Sequence, residues 1–256
     1  MTLATASTTT APGADADERQ LRIDLAAAFR LAARAGWHEA VANHFSAAVS
    51  ADGRRFLVNP RWRHFSMLKA SDLLLVDADD RETMSRPDAP DPSAWSIHSA
   101  IHRHVPQARV ALHLHPPYST ALAGLKDPSI KPIDQNTARF FNRMAIDLSF
   151  GGIATEESEG ERIAATIGNH TSVMMGNHGV TIVAPTVAEA FDEMYYLERA
   201  AQTMILAYST GQPLSIMSDT IAEQTAAEWD AYKGASFAHF DEMKRSLDRE
   251  DRSYAD

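Results

Sequence analysis

The chain has 256 residues, 45% of them hydrophobic and 23% charged, which excludes disorder for its bulk. A formal net charge of −10 argues against a general nucleic-acid binder, which needs a basic face. Cysteine is absent, so disulfides, thiolate zinc sites, iron–sulfur clusters and thiol nucleophiles are excluded. Any transition-metal site must draw on the 11 histidines and on carboxylates.

Residues 1–17 are small, polar and acidic, without a basic start or a long apolar core, and read as a flexible tail rather than a secretory signal. A first helix is predicted from Asp17 or Glu18, with an apolar stripe through Leu21, Leu25, Ala28, Phe29 and Ala32 and a stop at Gly36. Strands are predicted over Phe45–Val49 and Phe56–Val58, joined by a turn at Ala51-Asp52-Gly53, and over Leu73–Val76. A proline-rich loop over 85–92 leads into a helix with Ser93 as its N-cap, ending near Val105. Arg109–His113 reads as a buried strand, Pro117–Leu125 as a short helix, and 126–136 as irregular. Then follow a helix over Glu157–Ile167, a strand over Ser172–Met175, a tight turn at Asn177-His178-Gly179, and a strand over Val180–Val183. The longest helix spans Thr186–Tyr208, and one further amphipathic segment spans Ile221–Leu247. No apolar run reaches the ~20 residues that cross a membrane, so no membrane partner is expected and the expected location is the cytoplasm. Residues 18–256 read as a single α/β domain with helices packed on a sheet.

His113 and His115 are the most informative residues. At i and i+2 on a strand they share one face, and Pro116-Pro117 ends the strand just beyond them. Two imidazoles so placed can hold one divalent ion. His178 sits where Asn177 and Gly179 permit unusual backbone angles, which can present its ring into a cleft. Spacing alone also fits an ordinary His-x-His pair and a plain turn histidine.

The stretches HLHPPYSTALAGL (113–125), MMGNHGVTIVAPTVAEAFDEMYYLERAAQ (174–202) and NHFSAAVSADGRRFLVNPRWRHFSMLKASDLLLVDAD (43–79) resemble the class II aldolase/adducin family, over roughly residues 20–210. The resemblance implies a three-layer α/β/α fold with a central, mostly antiparallel sheet and helices on both faces. It implies a divalent ion, Zn²⁺ foremost with Mn²⁺ or another transition metal as alternatives, held by His113, His115 and His178. The ion would polarise a substrate carbonyl and stabilise an enediolate. A homotetramer with its site near a subunit boundary is the expected assembly.

The sequence departs from that family in two places. The family's acid/base Glu, four residues before a histidine matching His98, falls on Ala94. His98, one turn on, and Glu39, at the turn after the first helix, are the candidate replacements; His98 and His102 also fit buried, hydrogen-bonded side chains. The phosphate-binding Gly-Asn-x-Ser is only partly matched by Ala42-Asn43-His44-Phe45-Ser46, and the family's Ser-Ser has become Pro92-Ser93. Proline has no N–H to offer an anion, so a phosphorylated sugar is disfavoured. Asn43, Ser93 and Gln135 remain as substrate-binding candidates, although Gln135 and Asn136 also fit a capped loop entering a helix. Arg61 and Arg63 fit either a carboxylate site or a solvated loop, and Tyr195 and Tyr196 fit packing. The expected activity is a metal-dependent carbon–carbon lyase, a decarboxylase or aldolase, acting on a small unphosphorylated carbonyl or carboxylate compound. A non-catalytic adducin-like scaffold and a metal hydrolase are the other classes to separate.

Overall fold

The structure, a computed structural model, describes residues 14–152, 157–232 and 234–256. Most of the expected tail, residues 1–13, lies outside the described residues. The first helix, α1 (Ala14–Ala35), already includes Ala14–Asp17, and Gly36 ends it in the left-handed region at φ 69°.

Seven strands form one sheet: β1 (His44–Ala48), β2 (Arg55–Val58), β3 (Leu74–Asp77), β4 (Val110–Leu114), β5 (Met144–Asp147), β6 (Ser172–Met175) and β7 (Gly179–Ala184). Their spatial order is β3-β2-β1-β4-β7-β6-β5, and every pairing is antiparallel except β5 with β6. Between them run α2 (Pro92–His104), α3 (Pro117–Ala123), α4 (Gln135–Ala138), α5 (Glu157–Ile167), α6 (Val187–Ser209), α7 (Asp219–Ala231) and α8 (Ala235–Glu250).

Strand alternation divides the core into two layers. Phe45, Ala47, Leu112, Leu114, Met174, Val180 and Ile182 point one way, into a cluster with apolar residues of α1, α3, α6 and α8. Ala111, Val173, Met175 and Val183 point the other way, against Ile97 and Ile101 of α2 and Ile163 and Ile167 of α5. The expected three-layer arrangement, with helices on both faces of a mostly antiparallel sheet, is therefore the observed one. Among the described residues no helix is long and apolar enough to cross a membrane.

Several expectations are corrected. Asp91, not Ser93, is the N-cap of α2: it is extended (φ −63°, ψ 142°) and its carboxylate accepts from the Ser93 N–H. The strand β5 lies in a stretch for which the sequence predicts no element, and residues 126–136, expected to be irregular, run into the short helix α4. The last helical segment is two helices, with Gly234 at φ 93° as the N-cap of α8. A charged amphipathic pattern continues on both sides of that glycine and masks the break.

The two outer-layer helices α2 and α5 touch at Gly160, where an added Cβ would lie 2.3 Å from the Ser96 carbonyl oxygen. Gly160→Ala must push the helices apart. We expect it to destabilise the protein by about 1–3 kcal/mol, the usual cost of overpacking, read as a lower urea midpoint at unchanged m value.

Candidate metal centre

The antiparallel register of β4 and β7 places His113 opposite Thr181 and Leu114 opposite Val180. His113 thus sits on the α2/α5 side of the sheet, and His115 follows the end of the strand. Asn177, in the left-handed region at φ 56°, turns the chain from β6 into β7 and carries His178 to the same end of the sheet as His115. One ring nitrogen from each of His113, His115 and His178 can be chosen so that all lie within 4.8 Å of one another. The ring centroids are 4.8–5.1 Å apart.

The donor set fits a divalent ion. A carbonyl oxygen only accepts, so His113 Nδ1 carries the proton toward Val180 O (3.1 Å), which leaves Nε2 bare for a ligand. His115 Nε2 is buried and has no hydrogen-bond partner. Burial pushes the pKa of all three rings down, that of His178 to about 4, so they are neutral at pH 7 as metal ligands must be. Orphaned buried nitrogen on a neutral ring is costly without a partner, and an ion supplies one.

The two sides of the site are anchored by different devices. Immediately after His115, the first N–H groups of α3 at Tyr118 and Ser119 each donate to the Glu198 carboxylate of α6 at 2.8 Å, and the Ser119 hydroxyl donates to it at 2.6 Å. That carboxylate is a helix N-terminal cap supplied from another element. On the other side, a Cβ at Gly179 would lie 2.5 Å from both His115 Cδ2 and Leu114 O. Gly179→Ala is therefore expected to displace His115 and to lower metal affinity by about 10–100-fold, the range seen when ligand orientation is disturbed; titration with Zn²⁺ measures it.

A second group of polar side chains lies beside the triad on the same face. His44 pairs with His113 across β1 and β4, and their rings stack at 4.9 Å. His44 Nδ1 is 2.8 Å from His98 Nε2, and His44 Nε2 is 3.2 Å from Ser93 Oγ. The Ser93 hydroxyl donates to Asp91 Oδ1 at 2.6 Å. Behind His98, the Ser46 hydroxyl bridges His98 Nδ1 (2.5 Å) and His102 Nε2 (2.7 Å), and His102 Nδ1 lies 2.9 Å from Ala108 O.

His98 is fully buried with its ring nitrogens against His44 Nδ1 and Ser46 Oγ, and it is the ring of His44 that stacks on His113 of the triad. His44 is the group that sequence reasoning missed. The alternation His44, Phe45, Ser46, Ala47 was the available signal, since it puts His44 and Ser46 together opposite two core residues. Glu39 is also displaced: its side chain is exposed, its charge acts on His38, and its main-chain N–H donates to Asn43 Oδ1 at 2.6 Å.

Of the substrate-binding candidates, Asn43 and Ser93 fall beside His44. Asn43 is 2% exposed and its Nδ2 has no partner. Asn59 of the next strand end binds the Asn43 carbonyl, and Arg61, two residues on, has a buried and unpartnered Nε. Gln135 does not join them. It is exposed at the start of α4, which Asp134 caps, and its carbonyl accepts from Trp229 of α7. Ala94 is buried in an apolar cluster with Phe56 and Trp95, so a carboxylate there would be unsolvated. The expected packing role of Tyr195 and Tyr196 agrees with their tilted and edge-on ring contacts with Trp37, His239 and Trp229.

A seven-stranded α/β sandwich with a histidine triad at the end of its central strands defines the class of protein. Within that class, residues 23–205 match the model of the class II aldolase and adducin N-terminal domain, and the chain belongs to that family. It is similar to an aldolase class 2 protein of Caulobacter vibrioides, 32% identical over 244 residues that cover 93% of each chain. It is 27% identical to the decarboxylase NovR of Streptomyces niveus over 83% of this chain and 81% of that one. Among solved structures it is similar to an aldolase II superfamily protein from Pseudomonas syringae, with a TM-score of 0.85 and 30% identity over 97% of this chain and 98% of that one.

Proposed function

We propose that this chain is a divalent-metal-dependent carbon–carbon lyase, a decarboxylase or an aldolase, acting on a small unphosphorylated carbonyl or carboxylate compound. The observation that carries the reading is the convergence of His113, His115 and His178, with the buried His115 Nε2 left without a partner. A divalent ion, Zn²⁺ first, supplies Lewis acidity when bound there, polarising a substrate oxygen and stabilising the charge that develops on it. A scaffold gains nothing from three neutral imidazoles held at one point.

The chain's own residues supply the rest. Asn43 Nδ2 and Arg61 Nε offer unused donors for a substrate carboxylate or carbonyl oxygen. A phosphate is disfavoured at the start of α2, because Pro92 has no N–H there and the Asp91 carboxylate already caps that terminus. The proton work of the absent family Glu passes to His44, which burial keeps neutral at pH 7 by pushing its pKa down to about 3, so that a proton it takes up is returned at once. Its Nε2 takes a proton from the substrate or returns one, and Ser93 Oγ, held by Asp91, accepts from Nε2 when it is protonated. Assembly as a homotetramer with the site near a subunit boundary is supported by Phe150, 52% exposed beside His178 with ring centroids 5.9 Å apart, and by the neighbouring Leu148, 60% exposed.

The test is a panel of keto acids and hydroxy acids offered to the metal-loaded protein, with carbon dioxide and aldehyde release both monitored. Release of carbon dioxide alone identifies a decarboxylase, and aldehyde release identifies an aldolase. Inertness toward every compound, with a full complement of metal, refutes the lyase reading.

A further inference from the structure

Two histidines away from the metal centre join the loops that carry the unused donors. Residues 36–43 lead from α1 into β1 and end in Asn43, and residues 59–64 follow β2 and carry Arg61. His38 Nε2 and His64 Nε2 lie 2.8 Å apart, with the rings edge to face. The Ser66 main-chain N–H can only donate, and it points at His64 Nδ1 at 3.2 Å, with the Ser66 hydroxyl 2.7 Å from the same nitrogen. A neutral His64 therefore carries its proton on Nε2 and gives it to His38 Nε2. The other nitrogen of His38, Nδ1, has no hydrogen-bond partner, so nothing at that end opposes this direction. The His38 ring lies flat on Phe65, with centroids 5.3 Å apart. Next to it in the chain, the Glu39 main-chain N–H donates to Asn43 Oδ1 at 2.6 Å, which turns Asn43 Nδ2 the other way, buried and without a partner. Each loop also holds a non-glycine residue in the left-handed region, Ala40 at φ 46° and Trp62 at φ 61°. Backbone of that kind persists only where its surroundings fix it.

We propose that His38 and His64 are positioning residues: their hydrogen bond clasps the loop that ends in Asn43 to the loop that carries Arg61, and so holds the Asn43 amide ready for a substrate oxygen. The ladder of β1 and β2 runs only from Ser46 opposite Val58 to Ala48 opposite Phe56, and both loops lie beyond the same end of it. Asn59 ties their near ends, accepting from the Phe45 N–H and donating to the Asn43 carbonyl. The histidine pair ties them farther out. A hydrogen bond at the surface adds little net stability, because water is an equal partner, so the fold gains little from this one. What it fixes is the relation between two loops and, through the Glu39 N–H, the direction of the Asn43 amide. A donor held in place beforehand costs a ligand less to bind, so the clasp acts on affinity and on KM more than on kcat. The role toward substrate rests on the reading of Asn43 and Arg61 as its donors; the clasp itself does not.

The experiment uses the zinc-loaded full chain at pH 8, above the ~6.5 at which an imidazole ordinarily titrates. The probe is oxamate, an unreactive carboxylate with a neighbouring carbonyl. Nitrogen–proton correlation NMR is expected to show His64 protonated on Nε2 and one slowly exchanging pair of Asn43 side-chain amide protons. Calorimetry reads the oxamate affinity. His64→Asn keeps a side-chain oxygen for the Ser66 N–H but is too short to reach His38. It should lose the slow exchange of the Asn43 amide and weaken oxamate binding by about 3–10-fold, with metal content unchanged. His64→Gln, long enough to donate to His38, should restore both. His38→Leu should match His64→Asn, and the double variant should be no worse than either, since all three lose the same contact. A wild-type His64 protonated on Nδ1 overturns the proposal, as does an Asn43 amide and an oxamate affinity indifferent to His64→Asn and His38→Leu. An Asn43 amide that responds to both variants in a protein that binds no oxamate supports the clasp and refutes only the reading of Asn43 and Arg61 as substrate donors.

Discussion

His115→Ala should leave the protein without its divalent ion. His115 is half-buried just past the end of β4, and its Nε2 has no partner within the protein. Removing the ring removes one of three donors while leaving β4, its pairing with β7 and the Glu198 cap of α3 in place. Two histidines remain, a set too small for a closed or catalytic zinc site, which uses three or four protein ligands. Elemental analysis of wild-type protein purified without chelators is expected to find near one ion per chain. The variant should retain only a trace, with an unchanged circular dichroism spectrum and no measurable turnover. A variant that keeps a full complement of metal would assign the ion to other residues.

The second large effect is expected at His44. A positioned general acid or base typically contributes ~10²–10⁴-fold in rate, and His44→Gln should lower kcat by about that range with metal content intact. Glutamine keeps a polar group against His98 and Ser93 but cannot exchange a proton at neutral pH. His98→Gln tests the assignment from the other side. His98 is held against His44 and Ser46, and its loss should cost less than the loss of His44, about 10–100-fold, as for a group that orients rather than reacts. Equal losses would place both rings in the chemistry. Normal turnover in His44→Gln would remove it from the reaction and return attention to Asp91.

How much of this was readable beforehand depended on how local each feature is. The strands of the sheet centre were visible because apolar alternation and turn residues are local signals, and the triad was visible because His113 and His115 are two apart while His178 lies between an Asn and a Gly. His44 was not. What brings it beside the triad is its pairing with His113 across β1 and β4, a register between segments far apart in sequence. Ser46 is brought to His98 by the packing of β1 on α2, while the buried, hydrogen-bonded state of His102 was legible from its place one turn after His98. His98 was singled out by its offset from Ala94 along one helix, an offset that carries no information about what packs against that helix. The misplacement of Gln135 has a related cause: α4 is short, and only its contact with Trp229 of α7 shows which way it faces.

The register of β4 against β7 has a thermodynamic consequence for the whole molecule. In the unfolded chain His113 and His115 are neighbours, but His178 is remote from them, so the ion finds a pair of donors and not a triad. An ion held by the triad would therefore bind the folded state in preference, and its free concentration would become a variable of folding stability. At one hundred times its dissociation constant, a ligand selective for the native state adds about 2.7 kcal/mol, a sizeable part of the 5–15 kcal/mol by which such proteins are usually stable. A strand slip of one residue would turn His113 to the opposite side of the sheet and forfeit that increment. Bound there, the ion would act as a proofreader of strand pairing, and a chain with its strands misaligned would be one that metal cannot rescue.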